Sequence, residues 1–436
     1  MGFCGRLCGN PCGNPLVATP CGNSYGNCMA TISLNWELGS DYGHIGRFLP
    51  IAQVLRERGH RPIMVLRDIS RADEMLSPYG LEFLQAPLWL PAVNGLPPAV
   101  NFTESLFLFG FLSQPGLLSI TRAWRQLWRL IKPDLMIFDH APTALLAARG
   151  LGIPRLITGN SFAVPPRTKP LPPYRWWDKT HPAARMADTE ARLLATANPV
   201  LAALGAPAMR QVHDLYEAEA TLITATPALD VYQGRPAEHY AGAINTIAHG
   251  ASPLSLWPGK RSKKIFAYLK PQYSVFEPVV KALARTDASV LIFAPGVSRQ
   301  MMQKLQSTHL AFSERPLVMK EVRAQCHLAV CHAGGMVDIM LSAGVPLLLL
   351  PLQMEQAMTS KRVEQAGCGL AFQPDYPPTM LEKQLGKLLS DPGFAHNAAS
   401  YAASHAGFSQ DHSLARLISA CESLLSASGQ KRAPRI

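Results

Sequence analysis

The chain has few long apolar runs, little charge, and fewer acidic than basic residues among its 436 positions. Its longest apolar stretch, 345–352 (Val-Pro-Leu-Leu-Leu-Leu-Pro-Leu), is interrupted by prolines. It falls far short of the roughly 20 residues that a membrane-spanning helix needs, and it reads as a buried strand. The charged fraction is 16% and the hydrophobic fraction 48%, which supplies ample core and excludes global disorder. Asp and Glu number 30 against 41 Lys and Arg, a net charge of +11 that favours anionic partners: nucleotides, nucleic acid or an anionic membrane face. The basic residues are dispersed, apart from Lys260-Arg-Ser-Lys-Lys264 and the tail with Lys431, Arg432 and Arg435. No nucleic-acid-binding motif accompanies them, so nucleic acid ranks last of the three.

Cysteine is scarce except at one end. Five of the nine (Cys4, Cys8, Cys12, Cys21, Cys28) lie in the first 28 residues, where Cys-Gly-Asn recurs. That segment contains no histidine, and its spacings match no zinc pattern. It lacks the basic start and apolar centre of a signal peptide. It is expected to be a disordered or spurious leader over 1–28, ahead of a true start at Met29. The other four cysteines are scattered, as in a reducing cytosol, so a cytoplasmic location is expected.

From Met29 onward the pattern is regular. Strands are predicted over 31–38, 61–67, 81–85, 134–139, 154–158 and 221–226, and helices over 46–58 and 143–150. Residues 160–185 are crowded with proline and aromatics and read as a long irregular loop, a type that is often functional. A Gly- and Pro-rich linker covers about 232–262, after which the alternation restarts. Strands are predicted over 264–269, 289–293, 317–319, 328–331, 345–350 and 369–372, with helices over 277–284 and 413–427. The expected architecture is α/β: two doubly wound Rossmann-like domains, 29–240 and 241–428, facing across a cleft. The last helix is a candidate to pack back on the first domain, and 429–436 forms a basic tail.

Three clusters carry chemistry. Gly43-His44-Ile45-Gly46 lies between the first strand and first helix, where open α/β sheets place ligands. A histidine there either acts as a general base or caps the helix. Asp139-His140 ends the fourth predicted strand and faces the same cleft; its carboxylate either orients His44 or caps the next helix. The densest cluster runs Cys331-His332-Ala-Gly334-Gly335, then Gly344-Val345-Pro346, then Glu355-Gln356. Backbone N–H groups and a histidine suit a diphosphate, and a neighbouring carboxylate and amide suit vicinal hydroxyls. Singly, each piece also reads as an ordinary Gly-rich turn or polar surface pair.

Together these pieces resemble a family-1 glycosyltransferase of the GT-B fold, the nucleotide-sugar-dependent group that includes bacterial macrolide and plant small-molecule glycosyltransferases. The resemblance runs from Met29 to about Leu425 and is strongest over 43–59 and 328–370, with Gly367-Cys-Gly369 completing the second signature. Ala267-Tyr-Leu-Lys270 is similar to the family's first C-terminal strand and loop. The resemblance implies His44 as the base that deprotonates an acceptor hydroxyl and Asp139 as its supporting carboxylate. It implies donor contacts from Gly43, Lys270, His332, Gly334, Gly335, Asp338, Glu355 and Gln356. The implied reaction is an inverting displacement at the anomeric carbon of a UDP- or dTDP-type sugar, with no cofactor and no required metal.

One stretch departs from the family. After His332 the run Ala-Gly-Gly-Met-Val-Asp-Ile-Met is one residue shorter than usual. The ribose-binding glutamate position falls on Ile339 or Met340, with Asp338 the nearest carboxylate, and Met336 and Val337 stand where a phosphate-side hydroxyl or amide is usual. Loss of a hydrogen bond to a charged group costs about 1.5–3 kcal/mol, so altered or weakened donor binding is expected.

The acceptor is expected to be a hydroxylated, lipophilic or aromatic small molecule bound in the first half. Leu88-Trp-Leu90, Leu106–Leu112 and Tyr174-Arg-Trp-Trp177 are its candidate lining, although each is equally suited to core packing. The segment 117–131 is a basic amphipathic helix with Trp124 and Trp128 on one face and Arg122, Arg125 and Arg129 elsewhere. It is suited either to core packing with a solvated basic face or to weak peripheral contact with an anionic membrane. Two other functions compete with an active transferase: a nucleotide-sugar epimerase, and a degenerate GT-B protein that binds a ligand or partner.

Overall fold

The structure, a computed structural model, describes residues 29–39, 43–178, 182–244, 252–253 and 256–432, with side chains to 428. The expected leader over 1–28, part of the expected linker (245–251) and the side chains of the tail 429–436 lie outside the described residues. The first half contains β1 (Thr31–Trp36), α1 (Gly43–Glu57), β2 (Arg61–Leu66), α2 (Ala72–Leu76), β3 (Glu82–Gln85), α3 (Phe102–Leu106), α4 (Gln114–Ile131), β4 (Leu135–Asp139), α5 (Pro142–Ala148), β5 (Arg155–Gly159), α6 (Ala183–Ala203) and β6 (Ala220–Ile223). The second contains β7 (Lys264–Tyr268), α7 (Phe276–Ala284), β8 (Ser289–Phe293), α8 (Arg299–Leu305), β9 (Leu310–Ser313), α9 (Met319–Arg323), β10 (Leu328–Cys331), α10 (Met336–Leu341), β11 (Leu347–Leu349), α11 (Met354–Gln365), β12 (Gly369–Ala371), α12 (Pro378–Ser390), α13 (Pro392–Ser404) and α14 (Gln410–Arg432).

The central strands are buried on both faces, which is why they read as continuous apolar runs rather than alternating ones. Each half forms one six-stranded parallel sheet, ordered β3-β2-β1-β4-β5-β6 and β12-β11-β10-β7-β8-β9. The two orders are equivalent, so the molecule is two Rossmann-like sheets, the GT-B arrangement. Strand order reverses between β1 and β4 in the first sheet and between β7 and β10 in the second. Open parallel sheets bind ligands at the carboxyl ends beside such switch points.

Apolar side chains cover both faces of both sheets. Helix α14 does not stay with the second sheet: Leu417, Ile418 and Cys421 are buried in the cluster that holds Ile32, Leu34, Phe48 and Leu55. Full burial of such a side chain contributes about 1.5–3 kcal/mol, so this crossing ties the two halves together. Arg416 adds hydrogen bonds to the carbonyls of Tyr240 and Glu238.

Two expectations are corrected. The strand predicted over 317–319 is absent; β9 lies upstream, in register with β8 from Val290↔Leu310 to Phe293↔Ser313. Met319 opens a helix instead, because Met319 and Val322, three residues apart, form its buried side. The irregular segment from 160 ends at the 21-residue helix α6, which the sequence reading did not anticipate. Its buried positions Met186, Glu190, Leu193, Ala197, Val200 and Leu201 follow helical spacing. The low hydrophobicity of its alanine-rich remainder and the internal Pro199 obscured that signal. Helices α12 and α13 likewise went unpredicted.

Candidate active site

Four of the expected residues sit at the two switch points. His44 follows β1 and Asp139 ends β4; Lys270 follows β7 and His332 follows β10. His44 occupies the first turn of α1 rather than the turn before it, because the helix begins at Gly43. Its Nδ1 lies 2.8 Å from Oδ2 of Asp139, across 95 residues of sequence. An ionised carboxylate only accepts, so Nδ1 carries the hydrogen and Nε2 keeps a lone pair.

The surroundings hold this pair in place. Trp36, next to Asp139 in the sheet register, stacks on the His44 ring at 4.9 Å and 16°. Two glycines leave the necessary room. A β-carbon at Gly39 would stand 2.5 Å from Nε2 of His44, and one at Gly159 would stand 2.3 Å from Oδ1 of Asp139. Both adopt positive φ, +95° and +120°, so any side chain there is strained as well as crowded. Around Gly43, by contrast, space is open. Burial alone would raise the pKa of Asp139, yet the Arg47 guanidinium and His44 hold it well below the usual carboxylate range.

Arg47 was not anticipated. It lies three residues beyond His44 on the same face of α1 and hydrogen-bonds Asp139 with Nη1. His140, next along from Asp139, is held at φ 49° and its pKa is pushed down to about 3 by burial and the nearby His44. Its ring begins an aromatic wall with Phe102 (5.9 Å) and Phe162 (6.4 Å), and Phe162 stacks on Tyr174 at 5.1 Å. Of the stretches proposed as acceptor lining, Phe107 and Phe111 are core. Trp176 reaches across to the second half, where the Arg362 guanidinium lies 3.8 Å over its ring. Helix α4 buries Trp124 and Trp128 in the core and exposes Arg122 and Arg129, which is the core-packed alternative. Its Arg125 binds the carbonyls of Ala147, Arg149 and Leu204.

The second half presents its residues differently. His332 is buried, donates from Nδ1 to the Leu350 carbonyl at 2.8 Å, and accepts the Lys270 N–H at Nε2 at 2.9 Å. Both ring nitrogens are therefore engaged within the fold. Gly334 and Gly335 are exposed at the cleft. Asp338 faces the same space, and burial raises its carboxyl to about 7 against the opposing charge of Arg47. Glu355 is raised by burial too, with His44 and Arg47 acting against the shift. It accepts a hydrogen bond of 2.5 Å from Asn160, which follows β5, so this contact spans the cleft. Gln356 turns inward, its Oε1 accepting the Leu352 N–H at 2.7 Å. One cavity joins Arg47, Asn160 and Thr224 of the first half to Gly334, Gly335, Asp338 and Glu355 of the second. Asn160 and Thr224 carried only a weak signal, as polar residues just beyond strand ends. Among the described residues, no helix is long and apolar enough to cross a membrane, and no three His, Cys, Asp or Glu side chains group as a metal site.

No protein-family model matches the chain. In sequence it is similar to the PGL/p-HBAD biosynthesis glycosyltransferases of Mycobacterium tuberculosis strains H37Ra and H37Rv, 24% identical over 270 residues. That match covers 58% of this chain, and the chain spans 61% of the length of these curated relatives. In structure it is similar to CalG4, the calicheamicin glycosyltransferase, with TM-score 0.68 and 20% identity over 93% of this chain and all of that one. It is also similar to the spinosyn rhamnosyltransferase SpnG complexed with thymidine diphosphate, with TM-score 0.64 and 16% identity over 90% of this chain and all of that one. These likenesses establish the GT-B fold.

Proposed function

We propose that the protein is a glycosyltransferase that moves a hexose from a UDP- or dTDP-type nucleotide sugar to a hydroxyl of a lipophilic or aromatic small molecule. The observation that carries this reading is the buried His44–Asp139 pair at 2.8 Å, whose partner Arg47 lines one cavity with Gly334 and Gly335. A pure binding module has no need of an oriented base. In the proposed step Nε2 of His44 takes the proton as the acceptor O–H bond breaks. The acceptor oxygen bonds to the anomeric carbon from the face opposite the leaving group. The bond from that carbon to the phosphate oxygen breaks, and its electron pair leaves with the nucleoside diphosphate. Configuration inverts. Asp139 stabilises the imidazolium that forms.

The partly buried rings of His140 and Phe162, backed by the core residue Phe102 and close to His44, support an aromatic or lipophilic acceptor. The relatives named for PGL/p-HBAD biosynthesis and the neighbours bound to spinosyn aglycone and thymidine diphosphate support the same classes of acceptor and donor. In this reading the N–H groups of the exposed Gly334 and Gly335 bind the diphosphate, and Glu355 binds the sugar once its bond to Asn160 opens. His332 then supports the loop from within.

Calorimetric titration of the protein with UDP, dTDP and GDP tests the donor half of the reading. One of the first two is expected to bind in the micromolar range, and the matching nucleotide sugar to support transfer to an aromatic alcohol. A folded protein that binds none of the three would move the non-enzymatic reading, a GT-B module that binds a ligand or partner, to first place.

A further inference from the structure

The C-terminal wall of the shared cavity is poor in groups that attract an anion. Its side chains include the carboxyls of Asp338 and Glu355, and Val337 stands where the resembling family places a polar group. Thr359 spends its hydroxyl on the Glu355 carbonyl at 3.0 Å. A diphosphate arriving here meets backbone N–H groups and two carboxyls from this side.

The opposite wall is different. Arg47 is the one Lys or Arg among the described residues lining the cavity. Its side chain is 14% exposed, one end is held on Asp139, and its Nε is buried with no hydrogen-bond partner. Its charge is felt by both Asp338 and Glu355. Lining the same cavity, Thr224 is buried, is fixed by its N–H on the Gly159 carbonyl at 2.7 Å, and has an Oγ1 that is also without a partner. Two unpartnered buried donors from the first half thus border one cavity with Gly334 and Gly335 of the second.

Resting on the donor reading above, we infer that Arg47, with Thr224 of the same cavity, binds the β-phosphate of the nucleoside diphosphate. The anion contact that the short loop after His332 lacks is supplied from the other domain. Arg47 is already ordered by Asp139, so little reorganisation is needed when the phosphate arrives. As the bond from the anomeric carbon to the β-phosphate oxygen breaks, the electron pair goes to that oxygen, and the guanidinium faces the charge that grows there. The same guanidinium keeps Asp139 ionised. The base pair and the leaving group therefore share one cation.

The test is calorimetric titration of the full chain, wild type and variants, with the diphosphate, monophosphate and nucleoside of the preferred base. Arg47→Gln is expected to weaken the diphosphate about 10- to 100-fold and to leave the nucleoside within about twofold. Arg47→Lys is expected to recover part of the loss. Thr224→Val, which leaves the Arg47–Asp139 pair intact, guards against misfolding of the first variant and is expected to weaken the diphosphate about 3- to 10-fold. Equal weakening of all three ligands, or unchanged diphosphate affinity in both Arg47→Gln and Thr224→Val, overturns the inference while leaving the donor reading in place. A wild type that binds no nucleoside diphosphate overturns both.

Discussion

The two strand ends that face the cleft use one backbone device for opposite purposes. Each is followed closely by a non-glycine residue at positive φ, His140 at 49° after β4 and Ala333 at 55° beyond β10. Such conformations cost about 1–3 kcal/mol each and persist where the surroundings impose them. At the first end the turn sets Asp139 against Nδ1 of His44 and against Arg47, with Nε2 as the ring nitrogen that the proposed step uses. At the second, the histidine is a strut: His332 joins the Lys270 N–H to the Leu350 carbonyl and leaves backbone glycines at the surface of the cleft. One half of the cleft therefore presents the cation Arg47, and the other presents main chain held in place from behind together with the carboxyls of Asp338 and Glu355.

The largest expected effect tests the first half of that contrast. His44→Ala should lower turnover about 10²- to 10⁴-fold, the usual worth of a general base. Diphosphate affinity should stay within about twofold, because His44 is absent from the lining of the cavity proposed for the diphosphate. Steady-state kinetics and calorimetry on the same preparation separate the two quantities. Turnover equal to wild type would remove His44 as the base and erase the distinction between the two ends.

His332→Ala tests the second half. It leaves the Lys270 N–H and the Leu350 carbonyl without their partner, at about 1–3 kcal/mol for each group that stays dry. It also removes the edge-to-face contact with Tyr273 at 5.1 Å. The urea midpoint should therefore fall markedly in His332→Ala. An unchanged midpoint with complete loss of diphosphate binding would make His332 a direct ligand and the two ends alike.

This contrast was only half legible in the sequence. The apolar runs of β1, β4, β7 and β10, with the glycines after β1 and β10, were sufficient to place ligand-binding strand ends in both halves. His44 and Asp139 could be paired because both follow strands of one parallel sheet. Arg47 was also within reach, since a charge three residues beyond a helical histidine shares its face. Its partner, however, is an aspartate 92 positions away that was already assigned to His44. The inward role of His332 could not be read at all. It depends on where the Lys270 and Leu350 backbone groups come to rest, and main-chain positions leave no mark on residue identity. The aromatic stretches failed for a related reason: composition marks Trp176 and Phe111 as apolar, but packing decides that one stacks on Arg362 and the other joins the core.

Asp338 offers the finest probe of the difference, because it and Glu355 are the carboxyls that the second half adds to its exposed main chain. Burial raises its carboxyl to about 7, with Arg47 opposing; Tyr401 and Glu355 are the other titratable groups near it. Below that value the group is neutral and its O–H can donate to a phosphate oxygen. Above it, a carboxylate repels the incoming diphosphate. Affinity for the diphosphate should therefore fall as pH rises from 7 to 8.5, by at most about tenfold per unit for one coupled proton. The stability of the ligand-free protein should move in the same sense. A carboxyl whose folded value is raised contributes fully below its unfolded value, near 4, and that contribution is lost as pH rises through about 7. Asp338→Asn should flatten both curves at the level of the acidic limb. If the variant instead keeps the wild-type slope, the titrating group is not Asp338.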